Sequence, residues 1–324
     1  MSSKLLKLNI LLLAALFALI GLSLIAGKVW IPLDAWQSSD PRWLIIAELR
    51  LPRTVLAIII GAALGLSGAA MQGYLRNPLA DPGLFGISSS AALGAVLSLY
   101  FGFAVSAYML PAFALAGAGL AMAVLALMAG RSGSLILFTL AGMILSSVTG
   151  SMTALAISLA PTPFAASEIM TWLLGALTDR SWDDVKIALP LTAVGIGILA
   201  TTARSLDALT LGEQAAQSMG VDRRRVQWSI VSGVGLCVGA AVATSGVIGF
   251  VGLMVPHMVR PLAGNRPSAI LLPSALAGAL LLLAADSFVR AIPTVSELRL
   301  GIAMSILGGP FFFMLLFKMR RTLP

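Results

Sequence analysis

Long apolar runs separated by short polar segments form the main pattern of this 324-residue chain. A helix that crosses the hydrocarbon core of a bilayer needs roughly 20 mostly apolar residues, so each long run predicts a membrane span. The runs cover residues 8–27, 52–73, 84–103, 108–129, 135–160, 184–203, 226–248, 249–262, 268–289 and 297–317. The run 249–262 is short and contains Pro256 and His257, and there we expect a half-helix shielded by its neighbours. The pattern predicts an all-α integral membrane protein with about ten transmembrane helices.

Composition excludes a water-soluble fold. Hydrophobic residues make up 59% of the chain and charged residues only 10%, whereas a soluble domain carries roughly 25% charged residues. The first run follows Lys4 and Lys7, as in a signal peptide, but no clear small-x-small cleavage site follows it. We interpret it as a retained span, with a cleaved signal as the alternative. The lone Cys237 excludes an internal disulfide, and residues 1–324 are predicted to form one transmembrane domain.

The placement of charge predicts the topology. With ten spans, the loops on the side of the two termini hold four acidic residues, Asp81, Asp207, Glu213 and Asp222. The same loops hold 13 of the 21 basic residues: Lys4, Lys7, Arg76, Arg131, Arg204, Arg223, Arg224, Arg225, Arg260, Arg266, Lys318, Arg320 and Arg321. The positive-inside rule therefore places both termini in the cytoplasm. This asymmetry accounts for the net charge of +8 without a nucleic-acid partner.

The connection 204–225, between the sixth and seventh spans, is the most informative polar segment. It reads RSLDALTLGEQAAQSMGVDRRR, and residues 211–220 predict a short helix with glycines near both ends. Ala215 and Ala216 are small enough to seat in a groove on another protein. We interpret the segment as a docking helix, and a solvated amphipathic connector is the alternative.

The turn 77–83, Asn-Pro-Leu-Ala-Asp-Pro-Gly, separates the second and third spans because two prolines and a glycine cannot continue a helix. Asp81 can cap the helix that follows. His257 is the only histidine, which excludes a site built from several histidines. An ionisable residue within a span is a functional candidate, but we favour structural packing for His257.

Six stretches together resemble the permease subunits of type II ABC importers for cobalamin, heme and iron–siderophore complexes, the FecCD-like family. They are LRLPR (49–53), SGAAMQGYLRNPLADPGLFGIS (67–88), WLLGAL (172–177), LGEQAAQSMGV (211–221), SGVIGFVGLMVPHMVR (245–260) and ELRLGIAMSILGGPFFFMLLFK (297–318). The resemblance implies a cobalamin-importer-like permease fold in a bacterial inner membrane. It also implies a homodimer with the pathway between its copies, two cytoplasmic ATPase subunits and a periplasmic binding protein.

The resemblance further implies roles for particular residues. Asn77, Pro78 and Leu79 match positions near the inner gate, with a purely structural turn as the alternative. Arg50, Arg53 and Arg290 match positions that pair with acidic residues of the binding protein, and the predicted topology places them near the outer face. The alternatives are interfacial snorkelling for Arg50 and Arg53, and a helix pair between Arg290 and Asp286. The coupling helix that contacts the ATPase would comprise Leu211, Gly212, Glu213, Ala215, Ala216, Met219 and Gly220.

The source of energy is assigned to another subunit. The chain contains no G-x-x-x-x-G-K-[ST] phosphate loop, so ATP and magnesium are predicted to bind the partner ATPase. The chain itself is expected to be no enzyme and to bind no cofactor or metal. ATP binding and hydrolysis would switch the gates between two conformations. The stretch ADPGLFG (80–86) looks closer to the heme and cobalamin members of the family than to many siderophore members. We favour heme as the cargo, with cobalamin second and a ferric siderophore third.

Two other classes compete with this interpretation. Gly65-Leu66-Ser67-Gly68 looks like the nucleophile motif of an intramembrane serine protease, with His257 as its base. An ion-coupled secondary transporter is the second alternative, but such proteins place charges at the membrane midplane. Here nearly every charge falls at the end of a span or in a loop.

Overall fold

The computed structural model describes residues 3–32, 36–37, 40–106, 108–129, 135–294 and 296–320. Arg131 and Arg321, which entered the charge count, lie outside these residues. The described part is helical, as predicted. Its α-helices are α1 (Ser3–Ile25), α2 (Leu51–Leu75), α3 (Ile87–Tyr100), α4 (Met109–Ala129), α5 (Leu135–Ser158), α6 (Pro163–Leu173), α7 (Trp182–Thr201), α8 (Ala203–Leu209), α9 (Glu213–Ser218), α10 (Arg223–Ser245), α11 (Val251–Ala263), α12 (Pro267–Ala291) and α13 (Leu300–Arg320).

Each of the ten predicted spans falls on one helix, but only eight helices of the described chain are long and apolar enough to cross a membrane. The expected half-helix at 249–262 is α11, with 13 residues. The predicted full span 84–103 was wrong in length, because α3 has only 14 residues. A 3-10 turn, Pro82–Phe85, precedes it, and Gly86 then adopts a φ of +77°, a conformation that glycine enters without strain. The apolar run continued through this turn and concealed the break.

Helix α2 lies at the centre of the bundle, and glycines allow other backbones to reach it. A Cβ atom on Gly61 would lie 2.3 Å from the carbonyl oxygen of Gly278 in α12. A Cβ on Gly68 would lie 1.9 Å from the carbonyl oxygen of Gly252 in α11. Small residues permit such close approach between membrane helices. Helix α2 is therefore held against α11 and α12 by direct backbone contact.

The outer helices expose apolar side chains, as a lipid-facing surface requires. Leu11 and Phe17 of α1 are 67% and 72% exposed, and Leu127 of α4 is 82% exposed. The central helices α2 and α10 are largely buried. The apolar surface is therefore divided between an inner core and an outer face that water would not solvate favourably.

Candidate functional site

The predicted coupling segment forms two short helices, α8 and α9, at the end of the bundle that the topology assigns to the cytoplasm. Helix α9 comprises Glu213–Ser218 and is shorter than the predicted 211–220. It ends early because Gly212 and Gly220 adopt φ values of +101° and +82°. Both conformations favour glycine, so the two glycines define the ends of the helix.

The predicted coupling residues divide between an exposed and a buried side. Leu211 is 66% exposed and Met219 is 62% exposed, so both can contact another protein. Ala216 is fully buried within the chain, and its expected role of seating in a groove on a partner does not fit this placement. Ala215 is half-buried. The surface that this segment offers to a partner therefore centres on Leu211 and Met219, which flank α9.

Glu213 joins α9 to the ends of two other helices, α2 and α10. Its Oε2 lies 2.9 Å from Nη1 of Arg223, at the start of α10, and its Oε1 lies 3.7 Å from Nη2 of Arg76. Arg76 follows the last residue of α2 with a φ of +51°. A displacement of Glu213 would therefore act on the inner ends of α2 and α10.

The predicted gate residues lie in a turn beside α5. The Asn77 side-chain oxygen accepts a hydrogen bond from the Leu79 backbone N–H at 2.9 Å, which supports the structural alternative for this turn. Asn77 and Leu79 also line a cavity of about 380 Å³, together with Thr139 and Met143 of α5. The turn is thus held by an internal hydrogen bond and also lines a cavity.

A second cavity, of about 320 Å³, is lined by the later residues of this turn. Asp81, Ser88 and Thr153 line it, together with Phe250, which precedes α11 with a φ of +69°. Burial raises the pKa of Asp81, although a hydrogen bond from the Gly83 N–H opposes the shift. Asp81 also has the expected capping contact, because its Oδ1 accepts that N–H at 2.7 Å.

A third cavity, of about 440 Å³, lies at the end of the bundle that the topology assigns to the outside. Charged residues of both signs line it, among them Glu168, Asp179, Arg180 and Arg299. Part of its wall is α6, a short helix that the search for long apolar runs missed. Its start was nevertheless marked, because Thr162 precedes Pro163 and caps the helix by accepting the Ala165 N–H at 3.1 Å.

Arg53 forms a buried ion cluster at the outer end of α2. Its Nε lies 2.9 Å from Oδ1 of Asp286 in α12, and its Nη2 lies 2.8 Å from the same oxygen. Glu297 binds the other side of the guanidinium group. Burial by itself would raise the pKa of Glu297, but the hydrogen bond and charge of Arg53 lower it below its ordinary value.

The other two predicted docking residues are also buried. Nη1 of Arg50 donates to the carbonyl oxygens of Leu24 and Ile25, at 2.8 and 2.7 Å. Nη2 of Arg290 donates to Ser23, at 2.8 Å to both its carbonyl oxygen and its Oγ. Arg50, Arg53 and Arg290 are each at most 8% exposed. Their docking role stays a prediction, and it requires this end of the bundle to open.

The two alternatives for these arginines do not describe the structure. Snorkelling would leave Arg50 and Arg53 in water, yet both bind atoms of their own chain. The expected helix pair would join Arg290 to Asp286, but the hydrogen bonds of Asp286 come from Arg53. The sequence spacing favoured Arg290, four residues later, as the partner of Asp286. Packing instead brings Arg53 of α2 within hydrogen-bond distance of Asp286.

Removing Asp286 should destabilise the protein strongly. Asp286 is fully buried, and Asp286→Ala leaves Arg53 with only one of its two carboxylate partners. We expect a loss of about 3 kcal/mol in unfolding free energy, because a buried charge loses one of its two partners. Thermal unfolding in detergent measures it. Lys186→Ala is the control: Lys186 and Asp183 are 74% and 52% exposed, and their pair is worth less than about 1 kcal/mol. Equal losses in the two variants would contradict the prediction.

A buried polar contact that sequence analysis missed joins α2 to α11. Gln72 Nε2 donates to the Leu253 carbonyl oxygen at 3.2 Å, and Arg260 Nη2 donates to Gln72 Oε1 at 2.9 Å. Gln72 is 2% exposed. A glutamine inside an apolar run was the available signal, because a polar side chain within a span requires a partner.

The protease motif does not form a catalytic pair in the described residues. Ser67 is fully buried, and Gly68 beside it packs against Gly252. The ring of His257 packs edge-on against Phe311, with centroids 5.9 Å apart. A serine nucleophile must lie within hydrogen-bond reach of its base, and no hydrogen bond joins Ser67 to His257 in the described part of the chain. The packing role expected for His257 agrees with its contact.

A lipid-facing helical bundle with cavities between its helices and the short helix α9 at one end fits a membrane transport subunit. The chain matches the FecCD transport family over residues 13–318, and it belongs to that family. It is therefore a permease subunit of ABC importers and a multi-pass protein of the inner membrane. This family membership excludes the protease and the secondary transporter as classes.

Relatives of this chain are named for different cargoes. It is 36% identical to the Fe(3+) dicitrate transport system permease protein FecD of Escherichia coli, over 92% of this chain and 94% of the relative. It is 38% identical to the cobalamin import system permease protein BtuC of Halobacterium salinarum, over 84% and 73%. It is 36% identical to the hemin transport system permease protein HmuU of Yersinia pestis, over 88% and 87%. These similar identities do not select one cargo.

The fold also matches a solved structure. An ABC transporter described as of metal-chelate type, in an inward-facing conformation, superposes with a TM-score of 0.89 at 30% identity. The match covers 96% of this chain and 99% of the other. The cobalamin-importer-like permease fold predicted from the sequence is thereby confirmed as an ABC-transporter permease fold.

Proposed function

We propose that this chain acts as one permease domain that imports an iron complex, with heme as the favoured cargo, using ATP hydrolysed by a partner. A cobalamin or ferric-siderophore importer is the alternative. The observation that carries the proposal is the family match over residues 13–318, together with an exposed α9 connected to the bundle through Glu213. The similar permease named for hemin supports heme, and those named for dicitrate iron and cobalamin support the alternatives.

The pathway of this importer would lie between two copies of the chain. Helix α5 supports this proposal because its exposed side includes Ser147, Gly150 and Ser151 among apolar residues. Serine hydroxyls are poorly accommodated by lipid, but they suit a contact with another helix or with water. The first two cavities also have walls formed by α5. We therefore assign this side of α5 to the homodimer contact and the substrate pathway.

The proposed partners bind at opposite ends. Two ATPase subunits, which carry ATP and magnesium, would contact Leu211 and Met219, which flank α9. A periplasmic binding protein would dock at the outer end near Arg50, Arg53 and Arg290. Docking would require a carboxylate of that partner to replace a present ligand, such as Glu297 at Arg53. The charged outer cavity beside Arg299 would then receive the cargo.

Transport in proteoliposomes tests this function. The permease, its ATPase and its binding protein are reconstituted, and uptake of labelled heme, cobalamin and a ferric siderophore is measured. We expect heme uptake that requires hydrolysable ATP and persists with an uncoupler. A non-hydrolysable ATP analogue is the control. Uptake of cobalamin or siderophore alone would replace the favoured cargo by an alternative. Absence of ATP-driven uptake of all three would contradict the proposed function.

A further inference from the structure

Asp207 in α8 forms a contact with a helix distant in sequence. Its Oδ1 accepts a hydrogen bond from the backbone N–H of Ser268 at 2.9 Å, and its Oδ2 accepts one from Ser268 Oγ at 2.6 Å. Ser268 is the second residue of α12, where backbone N–H groups lack partners within the helix. Arg266 occupies the cap position of α12 but makes no capping hydrogen bond. Asp207 therefore supplies the cap of α12 from another helix.

Packing places the same part of α8 between two central helices. Leu206 is fully buried. A Cβ atom on Gly73, near the end of α2, would lie 3.6 Å from Leu206 Cδ1 and 3.2 Å from Cβ of Pro267, the first residue of α12. Helix α8 thus contacts the inner ends of α2 and α12 at one point. The backbone contact between Gly61 and Gly278 holds these two helices together further along their length.

We propose that Asp207 is a positioning residue that transmits movement of the coupling helix to α12, and through it to α2. Only residues 210–212 separate α8 from α9. Without the hydrogen bonds to Ser268, a displaced α9 could move α8 without moving α12. The inference rests on the proposed function, because the ATPase must displace α9. Glu213 provides a second connection, to α2 and α10, that does not pass through Asp207.

Asp222 offers a matched control for this role. It lies beyond α9 and caps α10, with its Oδ1 accepting the N–H groups of Arg224 and Arg225 at 2.9 and 3.3 Å. Its contacts remain within the helix that it begins, whereas Asp207 reaches a residue 61 positions away. The two aspartates share capping chemistry and differ in whether they join separate helices. A purely structural role predicts similar effects for the two.

The experiment measures uptake and ATP hydrolysis together in proteoliposomes. For Asp207→Ala we expect the cargo transported per ATP to fall about tenfold, the consequence of losing two hydrogen bonds to a charged group, while hydrolysis stays within about twofold. Asp207→Asn keeps an acceptor for the Ser268 N–H and should restore most of this ratio. Asp222→Ala should leave the ratio unchanged. Thermal unfolding in detergent records the stability of each variant.

Other outcomes would overturn the inference. Equal transport per ATP in Asp207→Ala and Asp222→Ala would show that Asp207 is only a structural cap. If Asp207→Ala does not insert, Ser268→Ala removes one of the two hydrogen bonds and keeps the backbone donor. An unchanged ratio of cargo transported per ATP in Ser268→Ala would then count against the inference. Wild-type protein without ATP-driven uptake would instead contradict the proposed function itself. Failure of the proposed function can therefore be distinguished from failure of the inference about Asp207.

Discussion

Glu213→Arg should reduce uptake to below about a tenth of the wild-type rate while leaving the amount of protein in the membrane unchanged. The substitution places a third positive charge beside Arg76 and Arg223, which now share the Glu213 carboxylate. Like charges at these partly exposed positions repel one another, and each 1.4 kcal/mol of repulsion changes the equilibrium between docked and displaced α9 by about a factor of ten. Helix α9 would be repelled from α2 and α10, and its movement would no longer reach them. Uptake and ATP hydrolysis in proteoliposomes measure the effect.

A charge exchange is the control for Glu213→Arg. In the double variant Glu213→Arg with Arg223→Glu, the ion pair is restored with its two charges exchanged, and part of the uptake should return.

Gly220→Trp tests the exposed side of the same segment. A side chain at its φ of +82° is strained, and no atom lies within 4 Å of its Cβ position. A bulky group there should block the partner, and normal uptake in both single variants would refute the coupling role of α9.

Gly68→Ala should have the largest effect on stability. The added Cβ would lie 1.9 Å from the carbonyl oxygen of Gly252, so α2 and α11 must separate. Because the obstructing atom belongs to a backbone, no side-chain rotation relieves the clash. We expect a loss of at least about 3 kcal/mol, at the upper end of the range for overpacked cores. Thermal unfolding in detergent measures this loss.

Gly197→Ala provides the matched control in α7. No atom lies within 4 Å of the Cβ position of Gly197, which is exposed within its helix. Alanine is favoured over glycine within a helix by about 1 kcal/mol, so this variant should be unchanged or slightly more stable. A comparable loss in the two variants would show that the close contact between Gly68 and Gly252 does not limit stability.

The helices were predictable because lipid imposes a simple requirement on sequence. A segment that spans a bilayer must satisfy its backbone internally and present apolar side chains, and both features are visible within about 20 residues. The match of every predicted run to a helix follows from this requirement. The length of α3 was less visible, because the turn before it contains apolar residues and is enclosed by other helices. Phe85, for example, is 3% exposed within such a turn.

The candidate sites were predictable only where the signal was local. The exposed connection around α9 was found because polar residues and glycines interrupt the apolar pattern, and the turn at Asn77 was found for the same reason. The pairs Arg53–Asp286 and Asp207–Ser268 were not found, since their members lie 233 and 61 residues apart. Arg290 shows the same difficulty: its partner is Ser23 of α1, and Asp286 four residues earlier binds Arg53.

The sequence by itself determined that this chain is a helical membrane protein, where its spans lie, and which family of importer permeases it resembles. These properties depend on short apolar runs and short motifs, which persist whatever the helices pack against. Only the tertiary structure decided that the three outer arginines are buried, that Ala216 faces inward, and that Asp207 caps α12. The partner of a charge in a membrane protein is whichever donor or acceptor packing brings within about 3 Å, and that distance depends on the arrangement of all the helices.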